Sequence, residues 1–496
     1  MKRLLFVGFD QLNADYGVLK SANPATDAIV MVESERMLAS PNWHAQRIFF
    51  LVSSARHFAA EMTAAGFTVH YEKAATTADG IKKVQKKYGF DSQLVAAEQN
   101  SFRLTQTLLE LGFELQPTDF FLTSRNEFAD WAQSQKSFLM ENFYRAQRKR
   151  LDLLMDDDKP LGGEWNYDKD NRLPPPKNHT WPEPLHFDQD DIDKLVIAEI
   201  SGKYRGSNPK GYWATTRTGA LQQLEFFVEN VLSDFGPYED AMPSDSWNVN
   251  HSLLSPYLNN GLLHASEVVA AAVTGFNRGG VPLNSIEGFV RQIIGWREYI
   301  NGMYWTLGED YRNHNQLHAD RKLLPLFQDS SKTEMNCVRS IVQDVEDRAW
   351  AHHIPRLMVL SNLALIAGVN PQEYLQWMRE MFIDAADWVM VPNVIGMGVH
   401  ADGGIMMTKP YAAGGAYISK MGNYCKECRF NPKNRTGEDA CPFTTLYWDF
   451  IGRNFEQFSK NHRMFQQTSG LKRLADIPET KARAVEVLRL LEAGEI

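Results

Sequence analysis

Four cysteines, all in the last third of the chain, constrain what this sequence can fold into more than any other feature. Cys425 and Cys428 form a C-x-x-C pair, Cys441 is followed directly by Pro442, and Cys337 lies well upstream. A C-x-x-C pair lets two thiolates reach one metal centre from a single turn, and two more thiolates complete a shell of four. Zinc sites of this kind mostly use two local pairs. Because only one local pair is present, the spacing favours an iron–sulfur cluster over zinc, with unliganded core thiols as a third possibility.

The charge balance limits how the chain can meet nucleic acids. It has 52 Lys and Arg against 61 Asp and Glu in 496 residues, a formal net charge of −9. Phosphate contacts need local Lys and Arg, so this balance excludes non-specific nucleic-acid binding over the whole surface. Any such site must be a confined patch. The densest basic run is Arg145 to Arg150, although on its own that run is more typical of a solvated helix face.

The hydrophobic pattern predicts a cytoplasmic protein without a membrane span. No stretch of about 18 uninterrupted apolar residues occurs. The apolar run near the N-terminus stops at Asp10, too early for a signal peptide, and indicates a first β-strand instead. Four cysteines in a chain of this length indicate metal or redox chemistry more than a disulfide framework.

The first 135 residues predict an α/β domain. Short apolar runs alternate with longer amphipathic runs, the pattern of a parallel, doubly wound sheet. In such sheets ligands lie beyond the carboxyl ends of the strands, where Asp10, Gln11 and Glu33 fall. No glycine-rich dinucleotide or phosphate loop accompanies them. Strands are expected at Leu4–Phe9, Ala28–Val32, Thr68–Tyr71 and Leu94–Ala97, and helices near 44–66, 77–88 and 102–112.

The rest of the chain is expected to be helical. Residues 136–200 form a connection that holds the basic run and the Pro-rich stretch Leu173–Pro176, which must be extended. Residues 201–470 carry apolar residues at three- and four-residue spacing, which predicts a large all-α domain, and 471–496 add a C-terminal helix at Glu479–Leu491. The helices predicted in the large domain are Gly219–Phe235, Leu262–Thr274, Ser285–Leu307, Cys337–Trp350, Pro355–Ala367 and Pro371–Phe382.

Two stretches offer groups for anion binding and proton transfer. The turn from His251 to Ser255 presents hydroxyls and free backbone N–H groups to a phosphate, although an ordinary helix N-cap is the more common explanation. His352 and His353, followed by Arg356, could supply a proton donor and an anion clamp near neutral pH. Adjacent histidines point in different directions, so they are not expected to bind one metal together, and core histidines are an equal alternative.

A third stretch contains Asp384, Asp387 and Asn393. The two carboxylates share a helix face if the preceding helix continues, and Asn393 follows Pro392 in a predicted loop. Carboxylates and an amide that converge on a ring system can bind the polar edge of a flavin. Helix capping explains the same residues equally well.

Taken together, these stretches resemble the photolyase/cryptochrome superfamily. The four cysteines place the chain closer to its iron–sulfur bacterial cryptochrome/photolyase branch, whose repair members are prokaryotic (6-4) photolyases. The similarity covers essentially the whole chain. The stretches that carry the resemblance to the superfamily or to this branch are Gly162–Asn166, Ser252–Tyr257, Arg291–Tyr299, Trp350–Arg356, Asp384–Asn393, Asn393–Met397 and Lys409–Tyr411.

The resemblance implies a Rossmann-like α/β antenna domain, an all-α FAD-binding domain and three cofactors. The antenna, 6,7-dimethyl-8-ribityllumazine in this branch, would lie near Asp10, Gln11 and Glu33. FAD would bind in a U shape in the helical domain, and the four cysteines would hold one [4Fe–4S] cluster. The residues implied around FAD are Tyr238, His251, Ser252, Leu253, Leu254, Ser255, Arg297, Asp384, Asp387 and Asn393.

The activity implied by the resemblance is light-driven repair of (6-4) pyrimidine–pyrimidone photoproducts. Excited, reduced FAD would pass an electron to a lesion flipped out of UV-damaged DNA, and the protein would act as a monomer. His353 would donate the proton that moving an oxygen between bases requires, with His352, Arg356, Tyr411 and Tyr417 beside the lesion. A cryptochrome-type photoreceptor that uses the same FAD without repair is the alternative. A metalloprotein without photochemistry is a third reading.

The sequence departs from the family at positions that affect electron transfer and the antenna. Ile395–Met397 replaces the Trp-rich stretch of the usual electron relay, so Trp377 is expected to be the flavin-proximal relay instead. Gln328 and Asp329 stand where members of the branch can have aromatic residues. Met37 lies where a carboxylate contact to the lumazine is expected.

Overall fold

The N-terminal part of the chain is built on a five-stranded parallel sheet. The computed structural model describes residues 3–89 and 93–496. The order along the sheet is β3-β2-β1-β4-β5, and all neighbouring strands are parallel, which confirms the predicted doubly wound sheet. The fifth strand was not predicted, because three residues are too few to show a pattern. The strands are β1 (Arg3–Phe6), β2 (Asp27–Ser34), β3 (Thr68–Ala74), β4 (Gln93–Ala97) and β5 (Glu114–Gln116).

Helices cover both faces of this sheet, and β2 is consequently buried along its whole length. The Thr76 and Ser101 side chains cap two of the helices by accepting hydrogen bonds from backbone N–H groups of the first turn. These helices lie where the sequence predicted them. The helices between the strands are Glu35–Leu38, Ala45–Ala64, Thr77–Tyr88 and Phe102–Glu110.

The stretch between the two main parts contains more regular structure than predicted. Helix Asp191–Ile200 buries Val196 and Ile200 against helix Ala45–Ala64, so the end of the connection packs on the α/β part. Leu173–Pro176 has no regular secondary structure, as expected. The proposed boundaries at 135, 200 and 470 stay predictions. The elements here are helices Arg125–Gln133, Met140–Leu151 and Asp191–Ile200 and a small hairpin, Met155–Asp156 with Lys159–Pro160.

The remainder of the described chain is almost entirely helical, as predicted. No helix in the described part is both long and apolar enough to cross a bilayer. The α-helices are Arg217–Asn230, Leu232–Phe235, Ser255–Asn260, Ala265–Asn277, Leu283–Val290, Glu298–Leu307, Asn336–Arg348, Asn362–Ala367, Pro371–Met381, Asp387–Val391, Gly415–Met421, Pro442–Arg453, Phe455–Phe458, Phe465–Lys472 and Ile477–Ala493. Short 3₁₀ turns lie at Gly17–Ser21, Glu309–Asn313, Pro325–Phe327, Ser330–Lys332, Tyr424–Lys426 and His462–Met464.

Candidate functional site

The helical part surrounds a cavity of about 670 Å³. This volume is typical of sites that bind a cofactor or a substrate-sized ligand. The π-helical segments within 3–89 and 93–496 are Arg291–Arg297, Pro355–Ser361 and Pro392–Gly398, and all three contribute to the cavity wall. A π turn inserts an extra residue and redirects side chains from the regular helix face, which is why such turns recur at functional sites.

A paired arginine and aspartate form the polar wall of the cavity. Arg356 donates from Nη1 and Nη2 to the two carboxylate oxygens of Asp384, at 3.0 Å each. The Ser255 hydroxyl donates to Asp384 Oδ2 at 2.7 Å, and the Asn259 amide donates to the Asp384 carbonyl at 2.8 Å. The bidentate pair therefore presents a fixed charge pattern to any ligand in the cavity.

The structure separates the two carboxylates that the sequence placed on one helix face. Helix Pro371–Met381 ends before Asp384, and a new helix begins at Asp387, so the continuous helix on which a shared face depended does not form. Asp387 pairs with Arg312 and Arg379, at 3.1 and 2.8 Å, and is not part of the cavity wall.

Asn393 lines the cavity, but from a π-helical segment and not from the predicted loop. Its amide donates to the Val389 carbonyl at 2.8 Å. The side-chain oxygen is therefore the part of the amide that stays available to a ligand.

Arg297 is a buried cation on the opposite wall. Its guanidinium donates to Glu298 at 2.8 Å and to the Leu258 carbonyl at 3.2 Å, and lies 4.2 Å from the Phe121 ring centroid. Burial lowers the pKa of Arg297, although the neighbouring Glu298 partly offsets this. The π turn directs this side chain into the cavity.

The turn His251–Ser255 lies at the cavity, as the sequence suggested for a ligand-binding turn. Leu253 has a φ of 56°, a left-handed conformation that is uncommon for a leucine and occurs mostly where surrounding contacts enforce it. Tyr238 is not part of the wall. Its ring packs edge-on against Trp181, with the centroids 5.6 Å apart.

Three histidines meet at one end of the cavity. His251 and His352 stack with ring centroids 4.2 Å apart, whereas the rings of His352 and His353 are 5.9 Å apart and inclined by 67°. Burial lowers the pKa of all three, and lowers the pKa of His353 to about 4. His353 Nε2 lies 3.8 Å from a carboxylate oxygen of Asp240.

Acidic residues that the sequence did not single out lie near His353. Burial raises the pKa of Glu239 to about 7 and that of Asp240 to about 6. Asp168 accepts a hydrogen bond from Arg291 at 3.0 Å. Asp168 lies in the connection, and Glu239 and Asp240 lie in an irregular loop, so no periodic pattern marks them. The Gly162–Asn166 motif, close to Asp168, was the only sequence signal near them.

Tyr411 and Tyr417 also line the cavity, as the resemblance implied. Burial raises the pKa of both phenols. Tyr417 and Lys420 are on helix Gly415–Met421, which is anchored by the buried Ile418. Lys420 is exposed and lines the cavity, so it marks where the cavity opens to solvent.

The four cysteines surround a second, much smaller cavity, of about 10 Å³. Burial raises the pKa of Cys337 and raises that of Cys441 to about 11. A Cβ at Gly415 would lie 2.8 Å from the Cys441 sulfur, so this glycine lets a helix approach the thiol closely. Among the described residues, ligand atoms lie within 4.8 Å of one another in two triads, one of three histidines and one of His57, Asp190 and Asp193; no cysteine triad is that compact.

The segment around the cysteines, residues 415–441, is called the cysteine lobe below. It is hydrogen-bonded to the loop that carries Glu239 and Asp240: the Met242 N–H donates to the Met421 carbonyl at 2.8 Å, and the Ser244 N–H donates to the Asn423 side chain at 2.7 Å. The Tyr424 hydroxyl donates to the Pro243 carbonyl at 3.2 Å. The two cavities therefore share a wall.

The residues predicted to contact an antenna divide into two groups. Asp10 and Gln11 follow β1, next to Gln99 and Asn100 after β4, where the strand order reverses; ligands bind at this point in such sheets. Burial raises the pKa of Asp10, which accepts a hydrogen bond from Asn100 at 3.0 Å.

Glu33 lies at a different place and is already occupied by protein groups. Arg56 donates to its carboxylate at 3.0 Å, and the Tyr71 hydroxyl donates at 2.9 Å. Arg56 also pairs with Glu199 of the connection, at 2.6 Å. This network joins the sheet to helix Asp191–Ile200.

Trp377 is buried between Phe327, Tyr374 and Phe382, with ring centroids 5.0 to 5.8 Å apart. It is not part of the wall of the large cavity, but its neighbour Met378 is. Its other side borders a separate surface cleft of about 390 Å³. Its role as a relay stays a prediction.

The basic run is only partly available to phosphates. Arg148 is fully buried and donates to the Leu153 and Trp165 carbonyls, at 3.2 and 3.1 Å. Arg145 pairs with Glu141 at 3.2 Å. The predicted solvated helix face therefore includes a buried arginine that holds the connection in place.

The walls of the large cavity contain buried polar atoms without a protein partner, which a bound polar ligand would satisfy. The groups come from histidine, arginine and tryptophan and surround the space on several sides. A large ring system with polar edges fits this set. The atoms are His251 Nε2, Arg291 Nε, Arg297 Nε, Trp350 Nε1, His352 Nδ1 and Trp388 Nε1.

Known proteins with a similar sequence or fold are named as photolyases and as a cryptochrome. Residues 5–208 match the family model described as Deoxyribodipyrimidine photo-lyase-related protein. The chain is 39% identical to a (6-4) photolyase from Agrobacterium fabrum, over 99% of this chain and 100% of that protein. Two solved structures share the fold: a class III photolyase from Agrobacterium tumefaciens (TM-score 0.55, 15% identity, covering 99% of this chain and 98% of that one) and a cryptochrome from Synechocystis sp. PCC6803 (TM-score 0.53, 14% identity, covering 80% and 82%).

Proposed function

The chain belongs to the photolyase/cryptochrome superfamily, in the branch of the bacterial (6-4) photolyases, and on that premise we propose that it repairs (6-4) photoproducts in DNA with light. One observation carries the proposal: a single cavity contains both the Arg356–Asp384 pair and the His251, His352 and His353 cluster. The pair suits a flavin and the histidines suit a flipped pyrimidine lesion. Both lie within one continuous space of about 670 Å³.

Membership of this family implies FAD, and the cavity fits it. Asp384, Asn393 and Arg297 would hold the flavin and ribityl, and the turn His251–Ser255 would face the pyrophosphate. The unpartnered Arg297 Nε supplies a buried donor of the kind that such a ligand needs. Reduced and excited by blue or near-UV light, bound FAD supplies an electron. Arg356 fixes the orientation of Asp384, so the polar edge of the cavity is set before the ligand arrives.

His353 is proposed to hold the proton that (6-4) repair requires. In the protein alone, desolvation in the cavity and the nearby Arg291 and Arg356 lower the pKa of His353, which favours the neutral ring at pH 7. An anionic ligand and the lesion phosphate would add negative charge beside the ring and favour its protonated form. Asp240, 3.8 Å away, already favours that form. His353 is therefore expected to be protonated only in the complex with damaged DNA.

The four cysteines are proposed to bind one [4Fe–4S] cluster. A single Zn²⁺ at about 2.3 Å from four sulfurs in a tetrahedron would place those sulfurs about 3.8 Å apart. No three cysteine sulfurs lie within 4.8 Å of one another in the described chain, and this wider spacing supports a cluster over zinc.

A ribityllumazine antenna is proposed at the strand ends, close to Asp10 and Gln11. Their position at the reversal of strand order supports this placement. Glu33 supports it less, because Arg56 and Tyr71 occupy its carboxylate. Position 37 is a methionine, where a carboxylate contact to the lumazine is expected.

We also propose that the protein acts as a cytoplasmic monomer on UV-damaged DNA, with the lesion flipped into the cavity. All four cysteines are unpaired, which suits a reducing compartment.

The decisive experiment incubates the purified, reduced holoprotein with an oligonucleotide that contains one (6-4) photoproduct, under blue light. Light-dependent restoration of the two thymines is expected, with a dark sample as the control. No restoration at any dose, with the flavin present and reduced, would contradict repair. Photochemistry of the bound flavin without restoration would instead assign the protein to light sensing, a reading that the net charge of −9 keeps open.

A further inference from the structure

We infer that Lys420 binds the backbone phosphate beside the nucleotide that enters the cavity. The inference rests on the proposed function and adds to it a specific contact for damaged DNA. No other residue of the lesion end has been given this role.

The cationic side chains of the cavity wall differ in their partners. Arg172 pairs with Asp168, Arg291 with Asp168 at 3.0 Å, Arg297 with Glu298 at 2.8 Å, and Arg356 with Asp384 at 3.0 Å. Lys420 completes this group of lining cations, and it has no carboxylate partner among residues 3–89 and 93–496. Its charge is therefore available to a ligand.

The carboxylates around the opening make the Lys420 ammonium necessary for binding a phosphate there. Asp168, Glu239 and Asp240 line the same cavity as Lys420. A phosphodiester that approaches these carboxylates is repelled unless a cation accompanies it. An ammonium on a flexible stem can follow the phosphate of an extruded nucleotide, whereas the paired guanidinium groups are held by their carboxylates.

Lys420 is also held at a defined place. Helix Gly415–Met421 buries Ile418, and the carbonyl of Met421 accepts a hydrogen bond from the Met242 N–H at 2.8 Å. Gly415 lies against the Cys441 thiol at the other end of the helix. With both ends fixed, Tyr417 and Lys420 are presented together at the opening, so the same helix contacts the lesion and its phosphate.

The test is equilibrium binding in the dark, with flavin-loaded protein and two duplexes that differ only in one (6-4) photoproduct. Lys420→Met is compared with Lys420→Arg and with Lys481→Met, a control lysine exposed on helix Ile477–Ala493 away from the cavity. Affinity is measured by fluorescence anisotropy across a salt series, which counts phosphate contacts. Binding in the dark is independent of photochemistry and so separates recognition from repair.

Lys420→Met is expected to weaken binding of the damaged duplex about tenfold, the effect of losing one charge-assisted hydrogen bond. The slope of log affinity against log salt should fall by about 0.9, the value for one phosphate contact. Binding of the undamaged duplex should change less than about twofold, and Lys420→Arg and Lys481→Met should retain near-normal affinity for both.

Unchanged affinity of Lys420→Met for the damaged duplex would overturn the inference, and so would an equal loss for both duplexes. Equal binding of the two duplexes by the unaltered protein would overturn the proposed function as well. Damage-selective binding that is undiminished in Lys420→Met would overturn the inference alone.

Discussion

His44 is expected to make the stability of this protein depend on pH more steeply than its surface histidines do. The side chain is fully buried where the α/β part meets the helical part, and its backbone N–H donates to the Glu380 carbonyl at 3.0 Å. The ring Nε2 donates to the Glu346 carbonyl at 2.9 Å, and Nδ1 accepts from the Gln46 N–H at 3.1 Å. These partners fix the neutral ring, because a proton on Nδ1 would face another N–H donor.

The magnitude follows from the pKa. Burial lowers the pKa of His44 from 6.5 to about 4. Between those values the unfolded chain binds more protons than the folded one, so stability rises with pH through this window and is lost as pH falls below 6.5. The difference of about 2.5 units, at 1.36 kcal/mol per unit, is on the order of 3 kcal/mol. For a chain of this length that corresponds to roughly 3 °C in the unfolding midpoint.

The assay compares thermal unfolding midpoints between pH 7.5 and pH 4 for the unaltered protein and for His44→Asn. Asparagine keeps an acceptor at the N-cap of helix Ala45–Ala64 but does not titrate. The variant should be less stable at pH 7.5, yet lose about 3 °C less on acidification. His462→Asn, at an exposed position, serves as the control and should keep the original dependence. Equal acid losses in His44→Asn and the unaltered protein would refute the reasoning.

Three further outcomes are expected at the proposed catalytic and metal sites. His353→Ala should abolish repair while the flavin content stays normal, since the ring lies among the lesion-facing groups; full repair activity would exclude it as the proton donor. Asp384→Asn should lower flavin content and repair together, because Arg356 loses its bidentate partner and a buried charge is left uncompensated. The absorbance of bound flavin per protein measures this loss. An unchanged ratio would argue against Asp384 as a flavin-binding residue. Cys425→Ala should reduce iron content and soluble yield, because the binding energy of a metal centre contributes directly to folding; iron analysis that matches the unaltered protein would contradict the ligand assignment.

The sequence predicted the parts of this fold that periodic burial determines. Four strands and their helices follow from apolar alternation, and the cysteines indicated a metal centre from spacing alone. Prediction from the sequence failed where contacts between distant parts of the chain decide the local structure. The spacing of Asp384 and Asp387 allowed a shared helix face, but the chain turns between them and each pairs with a different arginine. Glu239 and Asp240 were missed because loop carboxylates have no pattern, and only folding brings them to His353.

Because the two cavities share a wall, the supply of iron to the proposed cysteine site also affects the large cavity. The loop through Met242 and Ser244 is bonded to the cysteine lobe, while Asp384 and its partners lie on another wall. If the proposed cluster forms, a cell short of iron would therefore make less of the protein in soluble form, and the copies that remained would be disturbed first at the wall that faces damaged DNA.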